Sequence, residues 1–193
     1  MATRNSSKTW GWPARLLHWS MAFLIVAMLG FGFYLTFGFN PGDPAKLGLV
    51  QWHKSFGFVV FTLAVLRLLW RVVNPTPSMP DGMVGIERAA AHFSHFSLYL
   101  LMFALPLSGW LMSSASPFND EGAYPIQIKN MVFGLFEMPD PFQPGSEELS
   151  KFFGAVHFYT GLGLTLILGA HIAGALKHAI VERDGVMRRM IFG

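Results

Sequence analysis

The chain has 193 residues, of which 52% are hydrophobic and 13% are charged, against about 25% charged residues in typical soluble domains. The absence of cysteine excludes disulfides, iron–sulfur clusters, thiolate nucleophiles and cysteine-bound zinc. The net charge is +3, but the basic residues stand at the ends of apolar runs and form no single patch, so no nucleic-acid binding is predicted. Together these values predict a membrane protein.

Apolar stretches predict four membrane-spanning helices, because a helix needs about 20 residues to cross the hydrocarbon core. Their predicted bounds are about 13–37, 50–73, 88–114 and 150–180. The second span requires Lys54 and Arg67 to extend their charged ends toward the membrane interfaces. A long connection covers about 115–149, and residues 128–138 within it favour a short amphipathic segment on the membrane surface. The predicted fold is all-α, an integral membrane four-helix bundle that forms one domain over residues 1–193.

The distribution of basic residues predicts the orientation. Ten of the 14 Lys and Arg residues lie at the two termini and in the connection between helices two and three. Because cytoplasmic segments carry the excess of basic residues, both termini are expected in the cytoplasm. The opposite side combines four basic with seven acidic residues, a formal balance of −3.

Four of the seven histidines fall at two depths in the predicted bundle. His18 lies near the cytoplasmic start of helix one, whereas His53 and His157 enter helices two and four from the opposite side. His171 follows His157 by 14 residues, roughly 21 Å along the same helix face, and so reaches the depth of His18. The spacing therefore predicts an outer pair, His53 with His157, and an inner pair, His18 with His171.

Paired imidazoles on facing helices predict haem binding. Two imidazoles can hold a haem iron from both sides, which leaves no open position at the metal, and such a site transfers electrons. Gly57 and Gly161 each follow a histidine by four residues and share its helix face, where they would leave room for the macrocycle. Simple close packing of helices is the other explanation for these glycines.

Three more histidines belong to the cytoplasmic side. His92 and His95 lie on one face of helix three, and either is an alternative to His18 or His171 as an inner ligand. His178 is too near the interface to be a ligand and is a candidate for contacting or protonating a quinone. A metal or proton transporter that uses His92, His95 and His178 is a different interpretation, and it predicts a protein without haem.

Several motifs occur in a characteristic order along the chain. They are Leu17-His18-Trp19, Gln51-Trp52-His53-Lys54 with Gly57, Arg67-Leu68-Leu69-Trp70-Arg71 running to Pro75-Thr76-Pro77, Ala91-His92-Phe93-Ser94-His95 through Leu105-Pro106-Leu107-Ser108-Gly109, and His157 with His171 ending in His178. This set resembles the bacterial cytochrome b561 family, which includes membrane superoxide oxidases. The resemblance extends over nearly the whole chain.

The resemblance implies an inner-membrane protein that carries two haem b groups. At the matching ligand positions stand His18, His53, His157 and His171. Superoxide oxidases take electrons from superoxide at the periplasmic face and pass them to ubiquinone, and His178 occupies the position associated with the quinone.

The donor stays open between superoxide and a protein, since a haem b subunit can also serve a partner dehydrogenase or hydrogenase. Lys54 and Lys151 would offer superoxide local basic access despite the acidic outer side. Ordinary interfacial placement is the other explanation for these two lysines.

Overall fold

The computed structural model describes residues 2–40, 43–80, 82–120 and 129–193. These residues contain four long helices: α1 (Trp12–Phe37), α2 (Ala45–Val73), α3 (Gly85–Ser114) and α4 (Glu147–Lys177). Helix α4 continues into a π-helical turn, His178–Glu182, and a short helix, α5 (Val186–Ile191), follows it. Between α3 and α4 lie a 3₁₀ turn, Pro117–Asn119, and the strands β1 (Met131–Val132) and β2 (Phe136–Glu137).

Each of the four long helices is long and apolar enough to cross a membrane, which confirms the predicted all-α fold with four spans. Only 6% to 17% of the residues in their most apolar windows are buried. Large apolar side chains are exposed instead, among them Phe23 at 79% and Leu166 at 66%. Such a surface is unfavourable in water and suits contact with lipid.

Polar caps set the beginnings of two helices. The carboxylate of Asp43 accepts a hydrogen bond of 2.9 Å from the amide of Ala45 at the start of α2. The hydroxyl of Ser146 accepts one of 3.3 Å from Leu149 in the first turn of α4, a typical N-cap. Both helices begin before the predicted residues 50 and 150, because hydropathy detects the apolar stretch and misses a polar first turn.

The stretch for which an amphipathic surface segment was expected contains a β-hairpin in its described part, 129–138. Met131 pairs with Glu137 and Val132 with Phe136, and the chain reverses at Gly134, whose φ of 72° favours glycine. The ring of Phe133 packs against Trp52 of α2. Its amide donates a hydrogen bond of 2.8 Å to the hydroxyl of Ser55, so the hairpin rests on α2. Residue 128 lies outside the described part.

The chain divides into two compact units. The first unit comprises Met1–Phe23, Leu63–Leu101 and Gly163–Gly193, and the second comprises Leu24–Thr62 and Met102–Leu162. Each long helix therefore contributes one segment to each unit. The first unit contains His18, His92, His95, His171 and His178, and the second contains His53 and His157.

Candidate functional site

The outer histidine pair, His53 and His157, lies inside the second unit. The two ring centroids are 6.2 Å apart, and the ring planes are nearly perpendicular at 87°. A metal bonded to one nitrogen of each ring at about 2 Å requires ring centres roughly 6 Å apart. The separation of the outer pair therefore fits a metal held between the rings.

Helix α3 fixes the ring of His157. Its Nδ1 lies 2.9 Å from the carbonyl oxygen of Leu105, and because that oxygen can only accept, Nδ1 carries the hydrogen. The hydroxyl of Ser108 lies 3.3 Å from the same nitrogen. A neutral imidazole with its hydrogen on Nδ1 has a free lone pair on Nε2, which is how most metal-binding histidines are oriented.

A glycine allows His157 to approach α3 so closely. A Cβ at Gly109 would lie 2.9 Å from Cε1 and 3.0 Å from Nδ1 of His157, closer than real side chains come. Gly32 of α1 has a similar, looser relation to His53, since a Cβ at Gly32 would lie 3.4 Å from Cε1 of that ring. Sequence reasoning missed both glycines, since neither stands at helical spacing from the histidine it faces.

The surroundings of the outer pair also suit a bound macrocycle. Nδ1 of His53 is buried without a hydrogen-bond partner, a costly state for a polar atom. A Cβ at Gly57 would meet nothing within 4 Å, whereas one at Gly161 would meet Leu105 at 3.6 Å. The open space is therefore beside Gly57, and Gly161 faces α3.

The inner histidine pair, His18 and His171, lies inside the first unit with a ring separation of 6.3 Å and an interplanar angle of 58°. This distance matches that of the outer pair. His95 is closer to His171, at 5.4 Å between ring centroids, which is short for a metal held between two rings. His92 is exposed on α3.

An arginine that the sequence placed at the interface instead contacts the inner pair. Arg67 donates a hydrogen bond of 2.9 Å to Nδ1 of His18. Its guanidinium also lies 5.6 Å from the ring centroid of Tyr99, and that of Arg71 lies 5.4 Å from it, both within cation–π range. Since Nδ1 of His18 accepts here, the hydrogen of its neutral ring is on Nε2.

The two lysines near the outer ligands both have oxygen partners. Lys54 donates to the hydroxyl of Ser113 at 3.3 Å, to the carbonyl of Lys129 at 3.2 Å and to the amide oxygen of Asn130 at 3.1 Å. Lys151 pairs with Glu147 at 2.7 Å on the exposed first turn of α4. Lys54 thus holds the chain before β1 against α2 through neutral oxygens, which leave its charge in place, whereas Glu147 opposes the charge of Lys151.

His178 lies between two carboxylates at the end of α4. Its Nδ1 is 2.5 Å from Oε2 of Glu182 and 2.6 Å from Oδ2 of Asp184. Lys177 contacts Glu87 and pairs with Glu182 at 2.8 Å. Because carboxylate oxygens accept hydrogen bonds, they hold a hydrogen on Nδ1 and fix the orientation of the imidazole ring. Sequence reasoning missed both partners, although Glu182 stands one helical turn after His178.

Four helices of membrane-spanning length that bring imidazoles together in pairs are the features of a membrane cytochrome of the b type. A family model described as "Prokaryotic cytochrome b561" matches residues 9–193. The chain belongs to this family and is a multi-pass membrane protein that binds haem b and transfers electrons.

Curated relatives agree with this assignment. The chain is 30% identical over 192 residues to "Cytochrome b561 homolog 2" of Escherichia coli (strain K12), covering 99% of this chain and 95% of the relative. It is 27% identical to "Cytochrome b561 homolog 1" of the same organism, covering 91% and 92%. It is 25% identical to the "Probable superoxide oxidase CybB" of Yersinia pestis, covering 91% of each chain.

Proposed function

We propose that the chain passes electrons from a periplasmic donor to ubiquinone, and that it binds two haem b groups, one between His53 and His157 and one between His18 and His171. The supporting observation is the matched separation of the two histidine pairs, 6.2 Å and 6.3 Å. Haem bound in this way supplies one-electron oxidation and reduction, with no position left at the iron for a substrate.

The protein's own residues prepare the outer ligands for this role. Leu105 holds the hydrogen of His157 on Nδ1, and Gly109 leaves the ring its place beside α3. A histidine that donates to a carbonyl is a more basic ligand, which favours the oxidised metal.

We also propose that both termini face the cytoplasm of a bacterial inner membrane. Ten of the 14 basic residues then lie on the cytoplasmic side, as the positive-inside rule requires. In this orientation His178, which follows the last span, would lie toward the cytoplasm.

His178 is the proposed proton donor to the quinone. Reduction of ubiquinone to ubiquinol takes up two electrons and two protons. Glu182 and Asp184 both meet Nδ1 of His178, so Nε2 is the nitrogen that remains to donate toward a substrate.

For the donor we propose superoxide, because a relative is named as a probable superoxide oxidase. A protein donor, such as a partner dehydrogenase or hydrogenase, is the second candidate. It is favoured by the charge of the outer side, which combines four basic with seven acidic residues and so repels a small anion, and by the pairing of Lys151 with Glu147.

The deciding experiment is a reduced-minus-oxidised absorbance spectrum of the purified protein, together with haem quantitation. Two low-spin haem b groups per chain are expected. His53→Ala and His157→Ala should each remove the same haem, and His18→Ala and His171→Ala the other. His92→Ala is the matched control and should keep both. Folded protein without haem would contradict the proposal and support a metal or proton transporter.

The donor is tested by generating superoxide enzymatically and following the reduction of a soluble ubiquinone. Purified protein should accelerate quinone reduction, and His178→Ala should slow it while leaving the haem spectrum unchanged. Absence of acceleration by protein with both haems would exclude superoxide. Copurification with a dehydrogenase that reduces the haems would establish the protein donor.

A further inference from the structure

Two arginines of the first unit lack an acidic partner. No described carboxylate lies within ion-pair distance of Arg67 or Arg71, although both stand on a membrane-spanning segment. Arg67 is half-buried, whereas Arg71 is exposed in the last turn of α2. A half-buried cation on a membrane-spanning segment is costly unless an anion neutralises it.

The described carboxylates of the first unit are all engaged elsewhere. Glu87 and Glu182 contact Lys177, and Glu182 and Asp184 contact His178. Position 81, also acidic, lies outside the residues that the structure describes. Within the described part of the unit, the two guanidinium groups contact the ring of Tyr99, and Arg67 also contacts His18. Neither contact neutralises a positive charge.

The guanidinium groups of Arg67 and Arg71 both lie near the ring of Tyr99. Their central carbons lie 5.6 Å and 5.4 Å from its centroid, and Arg67 and Arg71 stand one turn apart on α2. Two planar guanidinium groups fixed in this way suit a carboxylate, which they can bind through several charged hydrogen bonds. Arg67 also reaches His18 at 2.9 Å, so the anion would lie beside the inner pair.

We infer that Arg67 and Arg71 bind a propionate carboxylate of the haem held by His18 and His171, with Tyr99 fixing both guanidinium groups. The inference rests on the proposed function, since it requires an inner haem. It also requires Arg67 to leave Nδ1 of His18, which it contacts at 2.9 Å. When Arg67 turns to a carboxylate, Nδ1 of His18 is released to carry the hydrogen, and Nε2 becomes free to bind iron.

The test compares haem b with its dimethyl ester, in which both propionates are uncharged. Full-length protein with His53→Ala, which removes the outer site, is made without haem and titrated with each porphyrin by absorbance. Haem b should bind at least about tenfold more tightly than the ester, as expected for charged hydrogen bonds. Arg67→Gln with Arg71→Gln should bring this ratio close to one. Arg88→Gln, which alters an exposed arginine of the first unit, is the control and should keep it.

A second measurement does not depend on removing the outer site. In the otherwise unaltered protein, Arg67→Gln should lower the midpoint potential of one haem and leave the other unchanged, because loss of a nearby positive charge favours the oxidised iron. Arg67→Lys should restore most of the potential.

Distinct results would overturn the inference. One such result is that the double variant and its parent show the same ratio of affinities for haem b and the ester. Another is that the double variant keeps this ratio and loses bound anionic phospholipid. The arginines would then bind a lipid phosphate. If the unaltered protein bound no haem between paired histidines, the proposed function itself would fail.

Discussion

Gly109 illustrates how a single missing side chain positions a functional group. The ring of His157 occupies the space that a Cβ at this position would need, with Cε1 only 2.9 Å away. The hydrogen bond from His157 to Leu105 depends on this approach. Gly109 thus shapes the proposed outer site although it has no side chain that could bind a metal.

Gly109→Ala should therefore displace His157 and weaken haem binding at the outer site. The new methyl group forces the ring away from α3, which breaks its hydrogen bond to Leu105. Absorbance spectra should show one haem retained and the other lost or altered. Gly163→Ala is the matched control, because a Cβ there would meet nothing within 4 Å. Two unchanged haems in Gly109→Ala would contradict this account of the site.

Asp184 provides a second prediction at the level of one residue. Asp184→Asn replaces one of the two carboxylates at Nδ1 of His178 and so weakens the contact that orients the ring. Quinone reduction should slow by about tenfold or more if His178 is the proton donor, with both haem spectra unchanged. Glu148→Gln, which alters an exposed carboxylate on the first turn of α4, should have no effect. An unchanged rate of quinone reduction in Asp184→Asn would show that this carboxylate takes no part in proton delivery.

At the level of secondary structure, hydropathy predicts neither where two of the helices start nor the hairpin between α3 and α4. Hydropathy located the four helices, but the caps at Asp43 and Ser146 decide where α2 and α4 begin. The hairpin carries too few residues for a recognisable pattern along the chain. Its position depends on contacts of Phe133 with Trp52 and Ser55, distant in sequence.

Ser55→Ala should loosen the hairpin without removing haem. The buried hydroxyl of Ser55 accepts the amide hydrogen of Phe133 at 2.8 Å, and such a bond contributes about 1 kcal/mol. Hydrogen exchange at the Phe133 amide should become faster. Thr62→Ala is the control on the same helix, since the hydroxyl of Thr62 bonds only within α2 in the described contacts. Unchanged exchange would show that other contacts hold the hairpin.

At the level of the whole molecule, orientation in the membrane can be tested directly because the chain has no cysteine. Lys8→Cys and Glu148→Cys each introduce one exposed thiol. In intact cells, a membrane-impermeant maleimide should label residue 148 and not residue 8. Labelling of both positions after the cells are broken controls for accessibility. The reverse pattern would invert the proposed topology.

The pairing of His53 with His157 and of His18 with His171 could be predicted from sequence because the rise of a helix is constant. Their rotation about the helix axis relative to neighbouring helices could not. This is why the sequence could not decide between His92 and His95 as alternative inner ligands, of which His95 comes within 5.4 Å of His171. It is also why the contact of Arg67 with His18 was missed.

The sequence by itself determined the number of spans, the all-α class and the family, since these depend on apolar length, charge placement and ordered motifs along one chain. Only the tertiary structure decided which side chains meet: His157 with Leu105 and Gly109, Arg67 with His18, and His178 with Asp184. The physical reason is that burial in lipid is a property of each helix alone, whereas hydrogen bonds and close approach depend on how helices from distant parts of the chain pack together.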